Sequence, residues 1–190
     1  MYREISLGNL QRLSFGCDVD IHRRNSWEQS ITDKVLFAGT FTPRRYRIIR
    51  RLIKSGIRID LVGKYWKHFF PGNTISDGVY GNELSSLIQK YKLSLNMHNN
   101  ENFGPNMRTF EVTGSGGTLL SDSAEDLPRF FKEDKEVFLY QDFNELAKLI
   151  SELLSYDDGI VEVAKNAYER THKSYTYDEV MKGFVKSMTS

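Results

Sequence analysis

The sequence predicts an α/β fold built on a mainly parallel sheet, and three features carry that expectation. From Val35 onward, short apolar and β-branched runs alternate with stretches of helical period, the pattern of strand–helix–strand crossover units. Glycine marks the junctions at Gly39, Gly56 and Gly63. The 190 residues are 39% hydrophobic, enough for one domain with a sizeable core and too rich for a disordered chain.

The elements follow in order. Residues Met1 to Asp33 show no sustained period and read as a linker or arm, with the regular domain running from Lys34 to Ser190. Val35 to Ala38 is the opening strand, and Arg44 to Ser55 is a helix with Ile48, Ile49, Leu52 and Ile53 on one face, stopped by Gly56. Ile57 to Val62 is the second strand. Between Lys64 and Gly81, Pro71, Gly72, Asn73, Asp77 and Gly78 break any period, so loops and a short strand near Val79 are expected. A helix over Asn82 to Tyr91, a strand over Leu93 to Met97, an Asn-rich loop and a helix over Asn106 to Thr113 come next. Gly117 to Leu120 and Val137 to Tyr140 are the last strands. Asp142 and Glu145 form a capping box for a helix whose Phe143, Leu146, Ala147, Ile150, Leu153 and Leu154 keep the helical period. Helices over Gly159 to His172 and Tyr177 to Met188 close the chain.

Charge and composition exclude several function classes. A formal net charge of +1 gives no global pull toward nucleic acid or an anionic membrane. The one basic concentration, Arg44, Arg45, Arg47, Arg50 and Arg51, reads first as a solvated helix face. The single cysteine, Cys17, has no partner for an internal disulfide and no metal-ligand spacing around it, which suits a reducing, cytoplasmic setting. No run approaches the ~20 apolar residues of a membrane span, so any membrane association is expected to be peripheral. His22, His68, His98 and His172 read as surface or loop residues, with His98 alone placed to meet a ligand.

In an open α/β sheet the ligand crevice lies beyond the carboxyl ends of the strands, so the residues just after each strand come first. Gly39-Thr40-Phe41-Thr42-Pro43-Arg44 joins the first strand to its helix; its glycine is either a plain turn or a close approach to phosphate. The polar loop His98 to Asn106 is either solvated or organised around a polar ligand, because burying it unpaired would be costly. Arg108 and Glu111 lie three apart at the following helix start and can face one crevice. Thr113-Gly114-Ser115-Gly116-Gly117 reads as a helix exit and tight turn.

The run Glu101-Asn-Phe-Gly-Pro-Asn-Met-Arg-Thr-Phe-Glu111 to Gly117 resembles the donor-site motif of group 1 glycosyltransferases, and more closely their spore-protein-like, CgeB-type branch. Leu36 to Gly39, the segment Leu13 to Asp18 with His22, Gly78 to Gly81, Asp122, and Val137 to Leu154 fit as well, so the resemblance covers nearly the whole chain. It implies a Rossmann-like three-layer sandwich, the second, donor-binding domain of a GT-B fold. By the same resemblance Glu111 holds the ribose hydroxyls of the nucleotide, and Glu101 sits by the donor sugar as the candidate catalytic residue. Gly39 and Thr40 lie against the diphosphate, Arg44 or Arg108 offsets its charge, Val79 and Tyr80 flank the base, and Asn106 belongs to the same site. A carboxylate suits the first role, since it accepts two hydrogen bonds from a vicinal diol.

The pattern departs from the family in two places: the interval between Glu101 and Glu111 is longer, and the usual Arg and Lys pair after the opening strand is replaced by Arg44-Arg45 at different spacing. The expected ligand is a nucleotide-diphosphate sugar, UDP-linked donors included, with no metal or other cofactor required. The expected partners are a glycan, lipid or protein acceptor and an N-terminal GT-B domain in cis or in trans. The alternative is a binding or assembly module that keeps this half fold without turnover.

Overall fold

The computed structural model describes residues 13–27, 32–98, 104–123, 126–155 and 159–188. Six strands, β1 (Thr32–Ala38), β2 (Ile59–Val62), β3 (Thr74–Ser76), β4 (Tyr91–Asn96), β5 (Leu119–Asp122) and β6 (Phe138–Tyr140), form one parallel sheet in the order β3-β2-β1-β4-β5-β6. The chain builds outward from β1 to β3, then returns to set β4 on the other side of β1. That reversal makes the gap between the β1 and β4 tips a topological switch point, where open sheets of this kind bind ligands.

The parallel sheet is covered on both faces, which explains why its central strands read as continuous apolar runs. Successive side chains of β1 point to opposite faces. Val35 and Phe37 pack with Ile49 and Leu52 of α1 (Pro43–Lys54) and with Leu146 and Ile150 of α6 (Phe143–Ser155). Leu36 and Ala38 pack with Leu84 and Ile88 of α3 (Gly81–Ile88) and with Phe110 and Val112 of α4 (Met107–Gly114). Each of these side chains except the small Ala38 stabilises the fold by about 1.5–3 kcal/mol on burial. The result is the expected Rossmann-like three-layer sandwich.

Helix boundaries follow their caps. Thr42 caps α1 by accepting from the Arg45 amide, Pro43 occupies the first turn, and Gly56 takes the left-handed φ of 84° that ends it. Asp142 Oδ1 accepts from the amides of Asn144 and Glu145 at 2.7 and 3.0 Å, while Glu145 Oε2 accepts from Gln141 N at 2.6 Å. Asp142→Ala should therefore cost about 1 kcal/mol and lower the melting temperature by about 2–4 °C, measurable by calorimetric scanning.

Several expectations are corrected. The segment from Lys64 to Gly81 holds a short helix, α2 (Trp66–Phe69), and the edge strand β3, and Val79 lies outside any strand. Pro71 and Gly72 sit in the turn between those elements, and the short Thr74-Ile75-Ser76 run finds its partner only through β2. A second short helix, α5 (Leu127–Phe130), was not expected. β1 starts at Thr32, ahead of Lys34, and β2 starts at Ile59 rather than Ile57. His22 and His98 lie in loops but are buried, while His68 and His172 lie on the helices Trp66–Phe69 and Ile160–Ser174.

Of the expected arm, residues 1–12 and 28–31 lie outside the described residues. Its described part lies against the last two helices, α7 (Ile160–Ser174) and α8 (Tyr177–Met188): Cys17 N donates to Tyr175 O at 2.8 Å and Tyr177 N donates to Cys17 O at 3.0 Å. Cys17 is buried beside Gly114, and burial pushes its thiol up to about 11, so it stays protonated and unreactive.

Candidate functional site

The tips of β1 and β2 approach backbone to backbone. Gly39 N donates to Val62 O at 2.9 Å, and a Cβ placed on Gly63, whose φ is 138°, would lie 2.3 Å from Gly39 O. Trp66, fully buried, donates its indole N–H to Gly39 O at 2.6 Å and fixes the turn from below. The sequence therefore needs glycine at 63 to bring two strand tips together, and that closeness shapes the cleft beyond them.

Two neighbouring arginines at the start of α1 do different work from the solvated face expected of the cluster. Arg45 is buried; its Nη1 donates to Thr40 O at 3.0 Å and its Nη2 to Met97 O at 2.6 Å, so it ties the β1 tip to the β4 tip across the switch point. Burial pulls its guanidinium below the usual value, opposed by the nearby Asp122 carboxylate. Arg44 Nη1 donates to His98 O and pairs with Asp122 Oδ2 at 3.1 Å. Arg47, Arg50 and Arg51 are exposed as expected.

The α4 helix brings the next pair. Asn106 caps it by accepting from the Thr109 amide at 3.1 Å and donates to Asn96 Oδ1 at 3.0 Å, so its side chain is committed to holding the helix start against β4. Thr109, Phe110 and Val112 face the core, which turns Arg108 and Glu111 together toward the strand tips. Their side chains are 18% and 13% exposed, and Arg108 Nη1 lies 2.8 Å from Glu111 Oε2. Yet the alignment makes no hydrogen bond, and Arg108 Nε, Arg108 Nη1 and Glu111 Oε2 are all enclosed with no hydrogen-bond partner among the described residues. Burial pulls the Arg108 guanidinium down, with Glu111 and then Tyr80 opposing it. Burial and the Glu111 carboxylate push the Tyr177 phenol up, so α8 begins beside this site.

Arg108 faces a cleft of about 70 Å³ lined also by Gly39, Thr40, Lys64, Val79 and Tyr80. The fold thus gathers Gly39, Thr40, Val79, Tyr80 and Arg108 at one opening, with Glu111 beside Arg108. Arg44 and Asn106 stand at the same strand tips with their side chains engaged elsewhere. Glu101 lies outside the described residues.

Asp122, which the resemblance includes without a role, is the last residue of β5; it accepts the His98 amide on both oxygens at 2.9 and 3.0 Å and meets His98 Nδ1 at 2.6 Å. The burial of Arg45 and Trp66 was not expected, since a cation in a basic run and an aromatic in a broken segment give no sign of it.

Comparison with known proteins sharpens the reading. The fold is shared with TarM from S. aureus, solved with fondaparinux, α-GlcNAc-glycerol and UDP, at a TM-score of 0.74 and 14% identity over 97% of this chain and 40% of that one. It is shared with HepE from Anabaena, solved with UDP and glucose, at 0.70 and 13% over 92% of this chain and 55% of that one. The C-terminal domain of LpcC, a glycosyl transferase group 1 family protein from Francisella tularensis, superposes over its whole length and 85% of this chain, with a TM-score of 0.62 at 13% identity. The chain thus spans 40% of TarM and 55% of HepE. Comparison with curated proteins by sequence returned no match. A family model described as glycosyl transferase-like matches residues 44–186, well over half the sequence and including every strand tip but that of β1, and the chain belongs to that family.

Proposed function

We propose that this chain is the nucleotide-sugar donor-binding domain of a GT-B glycosyltransferase of the CgeB-type branch, holding a UDP-linked or related donor. The observation that carries this reading is the Arg108–Glu111 ion pair at a strand-tip cleft, in which Arg108 Nε, Arg108 Nη1 and Glu111 Oε2 are enclosed without hydrogen-bond partners among the described residues. Leaving such atoms unpaired costs about 1–3 kcal/mol each, so the site gains when a ligand supplies acceptors for the guanidinium and hydroxyls for the carboxylate. A nucleoside diphosphate carries both.

In this reading Glu111 accepts from the ribose diol. Arg108 offsets the diphosphate lying over the backbone of Gly39 and Thr40, and Tyr80, 73% exposed, stacks with Val79 against the base. Arg44, already paired with Asp122, serves the architecture instead. Charge on the departing diphosphate is stabilised by Arg108 and backbone amides, so the scheme requires no metal. Glu101 is assigned to the donor sugar. Transfer to a glycan, lipid or protein acceptor takes place against an N-terminal domain supplied in cis or in trans, in the cytoplasm; among the described residues no helix is long and apolar enough to cross a membrane.

Calorimetry with UDP, GDP and ADP tests the reading. At least one should bind with a dissociation constant in the micromolar to millimolar range typical of substrates, and Arg108→Met should weaken it about tenfold. A folded protein that binds none of them has no donor site.

A further inference from the structure

We infer that His98 reads the donor's sugar: its Nε2 accepts a hydrogen bond from a sugar hydroxyl on the far side of the diphosphate. This rests on the donor-site reading above and adds to that site a residue of the β4 tip.

His98 is 3% exposed, and its Nε2 is enclosed with no partner among the described residues. Its other contacts are fully specified. Asp122 Oδ1 lies 2.6 Å from Nδ1, both Asp122 oxygens take the His98 amide, and Arg44 binds the His98 carbonyl and the same carboxylate. A carboxylate only accepts, so Nδ1 carries the hydrogen, and with one hydrogen on the ring Nε2 is left as an acceptor. An acceptor cannot serve a phosphate oxygen, which also only accepts. A hydroxyl can.

The strand order says which hydroxyl. Val79 and Tyr80 follow β3, Gly39 and Thr40 follow β1, and His98 follows β4 with its ring turned toward Asp122 of β5. Parallel strands stand about 4.8 Å apart, so a ligand with its base at the β3 side and its diphosphate at the β1 tip presents its sugar at the β4 and β5 tips. The Asp122–His98–Arg44 network holds the ring at that end, where the sugar is the only part of such a ligand that donates hydrogen bonds.

The test compares UDP with UDP-glucose on wild type and His98→Asn by calorimetry, with melting curves as a control. The asparagine amide nitrogen replaces Nδ1 toward Asp122, and no atom replaces Nε2. The variant should bind UDP within about twofold of wild type and UDP-glucose about tenfold more weakly. Unchanged UDP-glucose affinity, or equal loss for both ligands, overturns the inference. Wild type that binds neither ligand overturns the donor-site reading itself. Should His98→Asn fail to fold, the ¹⁵N resonance of His98 Nε2 in wild type decides: it should move with UDP-glucose and stay with UDP, and a resonance that responds equally to both sinks the assignment.

Discussion

Glu111→Ala should lower UDP affinity by about 10- to 100-fold, with Glu111→Gln falling between it and wild type. Each hydrogen bond from a ribose hydroxyl to a carboxylate contributes about 1.5–3 kcal/mol, and the carboxamide keeps one acceptor without the charge. The substitution has a second effect that must be separated from the first. Glu111 stands 2.8 Å from Arg108 in an enclosed setting, so alanine leaves a largely buried guanidinium without its neighbouring charge and costs stability, about 1–3 kcal/mol. The freed Arg108 would favour a diphosphate, which works against the affinity loss. Calorimetric titration of UDP, paired with a melting curve at each variant, resolves the two. If Glu111→Ala binds UDP as tightly as wild type while melting lower, the pair is structural and the ribose contact lies elsewhere.

The second large effect is Gly63→Ala, which should destabilise the fold by more than about 3 kcal/mol and lower the melting temperature by about 6–12 °C. Two strains combine there. The φ of 138° is one that L side chains rarely adopt, and the added Cβ would meet Gly39 O at 2.3 Å and Gly39 C at 2.8 Å. Neither neighbour is a flexible side-chain end. Relief would require parting the β1 and β2 tips, which are held by the bond from Gly39 N to Val62 O, while the bond from Gly63 N to Ser76 O fixes the β2 tip against β3. Gly56→Ala is the control: its φ of 84° is also positive, but nothing lies within 4 Å of the added Cβ, so it should cost only about 1–2 kcal/mol. Equal melting losses for the two variants would show that the close approach at the cleft carries no special strain.

Much of the fold was legible in the residues because its signals are local. The apolar run at Val35 to Ala38, the helical period from Ile48 to Ile53, and the Asp142–Glu145 box each concern neighbours within a turn or two, and each became the element expected. The pairing of Arg108 with Glu111 was equally legible, since three residues apart on a helix is a geometric neighbour. The misplaced strand near Val79 marks the limit: β3 is three residues long and is held by its partner β2 rather than by its own propensity.

Within the site the division is sharper. Composition, period and the polar run after the β4 strand were enough by themselves to establish a parallel α/β domain and to point at Gly39, Arg108 and Glu111. Only the folded chain shows that Arg108 lines the cleft while Arg44 is paired with Asp122 and the His98 carbonyl. The same holds for Arg45, which reads as one more surface charge and lies buried under Thr40 and Met97. Met97, His98 and Asp122 sit far from these arginines in the chain and meet them only because β4 returns beside β1 and β5 beside β4. A side chain's partners across strand tips depend on strand order, and strand order is set by how apolar faces share one core, which no local stretch of residues encodes.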